Sequence, residues 1–162
     1  MSLIILFGLP AAGKTYTAKF FSQYFGYHFY EGDNDLTEEM MFAIQTQATI
    51  TNKMRDRFFE KIIDHLNTLH NYHTKIVLAQ TFIKEKYRLK ILKYFPQAKF
   101  ILISADDNIR ELRLDKRSEF PLDKTYAQKM IPNFDTPKIS HQILLNNVDG
   151  ESAILSQLRN LF

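Results

Sequence analysis

An apolar run, Leu3-Ile4-Ile5-Leu6-Phe7, leads directly into Gly8-Leu9-Pro10-Ala11-Ala12-Gly13-Lys14-Thr15, which reads G-x-x-x-x-G-K-T. This pairing constrains the fold more than any other feature of the chain. A buried strand must stop at a tight glycine-rich bend, and a helix must start at its far side. The two glycines let successive backbone N–H groups converge on one point, a geometry suited to phosphate oxygens. Lys14 then reaches the β- and γ-phosphates, Thr15 offers a hydroxyl to Mg²⁺, and the helix beginning near Gly13 adds its positive N-terminal end. A chance match in a chain this short has odds on the order of a few in a thousand.

The 162 residues are enough for one domain with a real core, and we expect residues 1–162 to form one. The chain contains no cysteine, which excludes a disulfide scaffold and thiol catalysis. No apolar stretch approaches the roughly 20 residues that span a bilayer. Met1-Ser2 leads into the first strand with no basic leader, so the expectation is a cytoplasmic protein that does not engage membranes. A net charge of +3 with no basic run is weak evidence for a nucleic-acid partner. Monomer and homodimer are both compatible with the sequence.

Strands are predicted at Leu3–Phe7, Tyr27–Tyr30, Ile76–Ala79, Phe100–Ile103 and Ile143–Leu145. Helices are predicted between them. Lys14 to about Phe25 is closed by Gly26, and Thr37-Glu38-Glu39 opens a helix through Ile44. Met54, Phe58, Phe59, Ile62, Ile63, Leu66 and Leu69 mark the clearest amphipathic stripe. Further helices carry Tyr87–Phe95, the arginines Arg110, Arg113 and Arg117, and finally Ile154–Phe162. Residues between Arg117 and the last strand read as a polar stretch. The alternation implies an α/β architecture: a mainly parallel five-stranded sheet with helices on both faces. Ligands in such sheets bind beyond the carboxyl ends of the strands.

Several polar groups fall at that edge. Glu31, Asp33 and Asp35 alternate after the second strand, so an extended backbone would aim all three to one side. A phosphoryl acceptor needs such a carboxylate to orient its hydroxyl or take its proton. Asp33 is best placed for this, ahead of Glu31 and then Asp35. Gln80 and Thr81 follow the third strand. Arg113 and Arg117 share a helix face and are suited to offset charge on a transferring phosphoryl group. Arg110 reads instead as part of a solvated face. Arg117 leads into Ser118-Glu119-Phe120-Pro121, within a lid segment expected over about 115–125. Arg55 opens the third helix facing away from the Met54/Phe58 stripe, either as a binder of an anionic group or as a surface arginine. His70-x-x-His73 has no third ligand nearby and reads as a surface turn.

These motifs together resemble the small P-loop metabolite kinases, within them the gluconate kinase and shikimate kinase branch. The resemblance covers nearly the whole chain. Phe29-Tyr30-Glu31-Gly32-Asp33 is similar to the acidic-x-Asp ending of the second strand in that branch. The resemblance implies that Glu31 assists the metal and Asp33 binds the acceptor hydroxyl. Val77-Leu78-Ala79-Gln80-Thr81-Phe82-Ile83-Lys84-Glu85-Lys86-Tyr87-Arg88 is similar to a gluconate kinase run ending A-L-K-x-x-Y-R. Arg113-Leu114-Asp115-Lys116-Arg117 resembles the R-L-x-x-R that leads into the lid, which implies Arg113 on the adenine and Arg117 near the phosphates. Arg55 falls where gluconate kinases carry an acceptor-binding arginine. The acceptor half departs from the pattern. Asn34 stands where gluconate kinases have histidine, and of their G-x-P-L-x-D-x-D-R segment only the apolar position and the final arginine persist in Gln47–Arg55.

The expectation is an ATP-dependent, Mg²⁺-using kinase acting on a hydroxyl of a small metabolite, a sugar acid or shikimate-like acid by resemblance. A polynucleotide or nucleoside kinase, or a nucleotide-binding module without turnover, are the alternatives. Gly8, Leu9, Pro10, Ala11, Ala12, Gly13, Lys14, Thr15 and Arg113 would hold nucleotide. Asp33 and Arg55 would hold the acceptor, Thr15 and Glu31 the metal, and Lys14, Asp33 and Arg117 would carry catalysis.

Overall fold

All strand pairings in the computed structural model are parallel, in the order β2-β3-β1-β4-β5. The structure describes residues 1–116 and 124–161. Arg117, the segment Ser118–Pro121 and most of the expected lid, with Phe162, lie outside the described residues. The strands are β1 (Ser2–Phe7), β2 (His28–Glu31), β3 (Lys75–Ala79), β4 (Lys99–Ser104) and β5 (His141–Leu145). The helices are α1 (Lys14–Phe25), α2 (Glu38–Gln45), α3 (Asn52–His70), α4 (Glu85–Tyr94), α5 (Asp107–Asp115), α6 (Lys124–Met130) and α7 (Glu151–Leu161).

Side-chain alternation along β1 divides the core into two layers. Leu3, Ile5 and Phe7 pack with Phe58, Phe59, Ile62 and Leu66 of α3 and with Tyr87 and Ile91 of α4. Ile4 and Leu6 pack on the other face with Ala18 and Phe21 of α1 and Ile154 and Leu158 of α7. The result is the three-layer α/β P-loop NTPase fold, with helices on both faces of the sheet. Among the described residues, no helix is long and apolar enough to cross a membrane.

Helix starts follow local chemistry. The Thr37 hydroxyl accepts the Met40 N–H at the head of α2, and the Thr51 hydroxyl accepts the Met54 N–H at the head of α3, each at 3.2 Å. One element departs from the sequence reading. Helix α6 and the 3₁₀ turn Ile131–Asn133 occupy part of the stretch read as merely polar. Only Ala127 and Met130 of α6 are buried, too few apolar positions to register as a periodic stripe.

Because every strand is parallel, every carboxyl end lies on one edge. Register fixes their spacing. Glu31 pairs with Ala79, and Ala79 with Leu6, so the three form a row across β2, β3 and β1. Neighbouring strands lie about 4.8 Å apart, which sets Glu31 roughly 10 Å from Leu6 across that edge. The residues that follow, Gly8, Asp33, Gln80 and Asn146, leave the sheet together.

Candidate active site

The loop after β1 is shaped by close contacts that only glycine tolerates. Gly13 has φ 100°, and a Cβ there would stand 2.1 Å from Asn146 Nδ2. A Cβ on Gly8 would stand 2.4 Å from the Ile103 carbonyl oxygen. The loop is also held from outside. Asn146 Nδ2 donates to the Ala12 carbonyl at 2.8 Å. Arg113 Nη1 donates to the Ala11 carbonyl at 3.0 Å, and its Nη2 to the Asn146 carbonyl at 2.8 Å. In a trans peptide the carbonyl and the next N–H point in opposite directions. Binding the Ala12 carbonyl from outside therefore turns the Gly13 N–H inward. Thr15 and Tyr16 add first-turn amides of α1, which have no acceptor within the helix. Lys14 Nζ spans the bowl, donating to the Gly8 and Leu9 carbonyls at 3.0 and 2.9 Å.

Thr15 Oγ1 donates to Glu31 Oε2 at 2.6 Å, joining the head of α1 to the end of β2. Burial pushes the Glu31 carboxyl above its ordinary range. The Thr15 hydroxyl opposes that shift, Asp33 adds to it, and the Asp33 backbone and Lys14 oppose it. A half-buried carboxylate of raised pKa beside a hydroxyl is an oxygen pair that a hard cation would stabilise, so these residues fit Mg²⁺. Among the described residues no cluster of three or more His, Cys, Asp or Glu could hold a metal.

The three alternating carboxylates do not point to one side. Gly32–Asp35 winds into a 3₁₀ turn, which ends the extended alternation after Glu31. Asp33 turns toward β3 and accepts from Gln80 Nε2 at 3.1 Å. Asp35 turns into the structure, where it accepts the Tyr30 hydroxyl, meets His65 Nδ1 at 2.6 Å and faces Lys61 at 3.9 Å. Asp35 is thus a structural anchor.

Arg55 also departs from expectation. Three and four residues along a helix return to the same face, and Arg55 lines a cavity with Phe58 and Phe59 rather than facing away from them. That cavity, about 680 Å³, has Asp33 and Gln80 on its wall and runs beneath α2, α3 and α6. Tyr126 of α6 borders it. Burial pushes the Tyr126 phenol up to about 12, with Asp33 adding to the shift and Arg55 opposing it, so it stays a hydrogen-bond donor near neutral pH.

Asn146 was not singled out by the sequence, although it directly follows β5 at the edge where ligands bind. It is 4% exposed and holds the loop. The sequence places both Gln80 and Asp33 at this edge, and the structure joins them by a hydrogen bond that the sequence does not reveal. Arg110 is buried rather than solvated, pairing with Asp107 and donating Nε to the Ala105 carbonyl at 3.3 Å. Helix α5 ends at Asp115, with Lys116 as its cap, so the described helix stops short of Arg117. His73 stacks on His28 with ring centroids 3.8 Å apart.

No protein-family pattern matches the sequence, and no curated protein matches it. Solved structures do. A sugar kinase from Janibacter sp. superimposes with a TM-score of 0.84 at 16% identity, covering 99% of this chain and 94% of that one. A gluconokinase from Sinorhizobium meliloti gives 0.73 at 17% identity, covering 99% and 95%. A deoxyadenosine kinase from M. mycoides with bound dATP gives 0.66 at 17% identity, covering 98% of each chain. The fold is that of the P-loop kinases.

Proposed function

We propose that the protein is an ATP-dependent phosphotransferase that moves the γ-phosphoryl group of ATP to a hydroxyl of a small metabolite. The observation that carries this reading is the link from the braced loop to the acidic turn: Thr15 donates to Glu31, two residues before Asp33, and Asp33 lies with Gln80 on the wall of the cavity. A nucleotide-binding module would need the loop; it would not need a carboxylate oriented by Gln80 at the mouth of a separate cavity.

In this reading the amides of Gly8–Thr15 receive the phosphate oxygens, and Lys14 exchanges the Gly8 and Leu9 carbonyls for the β- and γ-phosphates. Asp33 accepts the hydrogen bond of the acceptor hydroxyl and takes its proton as the oxygen–phosphorus bond forms. The bond between the γ-phosphorus and the bridging oxygen breaks, and ADP leaves. Thr15 and Glu31 would hold Mg²⁺, which would neutralise charge on the phosphates. Arg113 acts by fixing the loop from behind, and Arg55 binds the acceptor. Arg117, expected near the phosphates, lies outside the described residues.

The test is an ADP-release screen with ATP and Mg²⁺ against sugar acids, shikimate-like acids, nucleosides and oligonucleotides. Lys14→Ala should abolish nearly all transfer. Asp33→Asn should keep ATP binding and lower the transfer rate by about 100-fold or more. Undiminished turnover by Lys14→Ala would overturn the proposal.

A further inference from the structure

The cavity beside Asp33 has an apolar body and one half-buried cation, Arg55, that forms no ion pair among the described residues. Its buried and half-buried walls are Met40, Ile44, Ile50, Phe58, Phe59 and Phe82. Phe82 is held there against its backbone preference, at φ 51° in the left-handed region that bulky residues avoid. The fully buried Arg88 secures it, donating Nε to the Phe82 carbonyl at 2.9 Å. The ring of Phe82 then lies 5.0 Å from that of Phe59.

About half of the polar lining lies at the rim, and the rest, with Asp33, Gln80, Thr81 and Tyr126, is buried or half-buried. Gln45, Gln47, Thr49 and Lys129 are exposed, and Lys129 is engaged with Gln47 at 3.3 Å. Lys84 is taken by Asp135 at 3.5 Å. Arg55 is half-buried on the cavity wall and forms no ion pair among the described residues. A sugar acid carries a hydroxyl on nearly every carbon. Each hydroxyl pressed without a partner against such walls costs roughly 1–3 kcal/mol. An apolar body gains by the same burial.

We infer that the acceptor is an alcohol with an apolar ring or aliphatic body and a single anionic group. Its hydroxyl meets Asp33, its body lies on Phe58, Phe59 and Phe82, and its anion pairs with Arg55. The placement of the hydroxyl rests on the kinase reading above; the body and the anion rest on the cavity itself.

Binding and turnover are therefore measured separately. Calorimetric titration uses the ortho, meta and para isomers of hydroxymethylbenzoate, ω-hydroxyalkanoates of graded length, uncharged benzyl alcohol, gluconate, shikimate and deoxyadenosine. At least one apolar hydroxy acid should bind wild type and Lys14→Ala alike, and more tightly than gluconate, shikimate or deoxyadenosine. Arg55→Gln should weaken that acid about 10- to 100-fold and leave benzyl alcohol and ATP binding unchanged, with Arg55→Lys recovering part of the loss. Tighter binding of gluconate, shikimate or deoxyadenosine, equal binding of the acid by Arg55→Gln, or binding of none of the apolar acids would overturn the inference. If the acid binds as described but ATP transfers no phosphate to it, the inference about the cavity survives and the kinase reading fails.

Discussion

Gln80 donates its side-chain N–H to Asp33 Oδ1 at 3.1 Å while its oxygen accepts the Thr81 N–H at 2.7 Å. The second bond fixes which end of the amide faces the carboxylate. Gln80 is 6% exposed, so neither bond competes with much water. In the proposed reaction this bond would make Gln80 a positioning residue for Asp33.

Gln80→Leu keeps approximate volume and removes both bonds. Asp33 then loses its orienting donor, at about 1–3 kcal/mol of transition-state stabilisation. The kcat should fall about 10- to 100-fold with the KM for ATP unchanged. Steady-state kinetics with each substrate varied separately checks this. A fall in ATP affinity with unaltered kcat would assign Gln80 to the nucleotide side instead.

Asp35 supports the fold. Its carboxylate receives the Tyr30 hydroxyl, His65 and Lys61. Asp35→Asn weakens charge-assisted bonds in a half-buried position and should lower unfolding stability by about 1–3 kcal/mol. The turnover of the folded protein should change little. Urea denaturation paired with kinetics on the same sample separates the two effects.

The elements most legible in the sequence are those whose pattern is local. The G-x-x-x-x-G-K-T run and the apolar strand before it define β1, the loop and the head of α1 without reference to any distant residue. The Phe58–Leu66 stripe does the same for α3. What stayed hidden depends on contacts across the chain. Asn146 reaches Ala12 from the far end of the sheet, and nothing in Asn146-Asn147 marks one asparagine as buried. The carboxylates misled because alternation assumes extended backbone, while Gly32 starts a 3₁₀ turn. Arg55 reads as facing away from the Met54/Phe58 stripe, but helical spacing returns it to the side of the cavity that Phe58 and Phe59 line. The wall is set by Phe58 and Phe59, three and four residues on.

Asn146 and Arg113 together brace the loop, and the Asn146 amide makes the shorter bond to the Ala12 carbonyl. Asn146→Ala removes the nearer of two donors to the Ala12 carbonyl, leaving Arg113 Nη1 at 3.4 Å, and should weaken ATP binding about tenfold, at roughly 1–1.5 kcal/mol. Gly13→Ala should be worse, since its Cβ would strike Asn146 Nδ2 and its φ of 100° disfavours any side chain. Combining Gly13→Ala with Asn146→Gly removes the clash and keeps the backbone strain. The double variant should therefore recover part of the stability lost in Gly13→Ala. Full recovery would show that the backbone conformation costs nothing. Denaturant midpoints of the single and double variants measure the difference.

The raised pKa of Glu31 makes a prediction about pH with a definite sign. Burial is the main cause, and the ordinary value of the group is 4.5. Between that value and the higher folded one, the native state binds more protons than the unfolded chain. Stability from this group is therefore complete at low pH and falls as pH rises through the folded pKa. Glu31→Gln removes the charge while leaving an oxygen to accept from Thr15 Oγ1. In the absence of nucleotide and metal, the variant should be more stable than wild type near neutral pH. The advantage should shrink as pH falls toward 4.5. Saturating MgATP should reverse the order near neutral pH, because a cation at Thr15 and Glu31 stabilises the charge that burial penalises. Thermal unfolding of both proteins across pH, with and without MgATP, tests both halves. A stability gap independent of pH would separate Glu31 from the titration, and a MgATP gain equal in both proteins would remove it from the metal site.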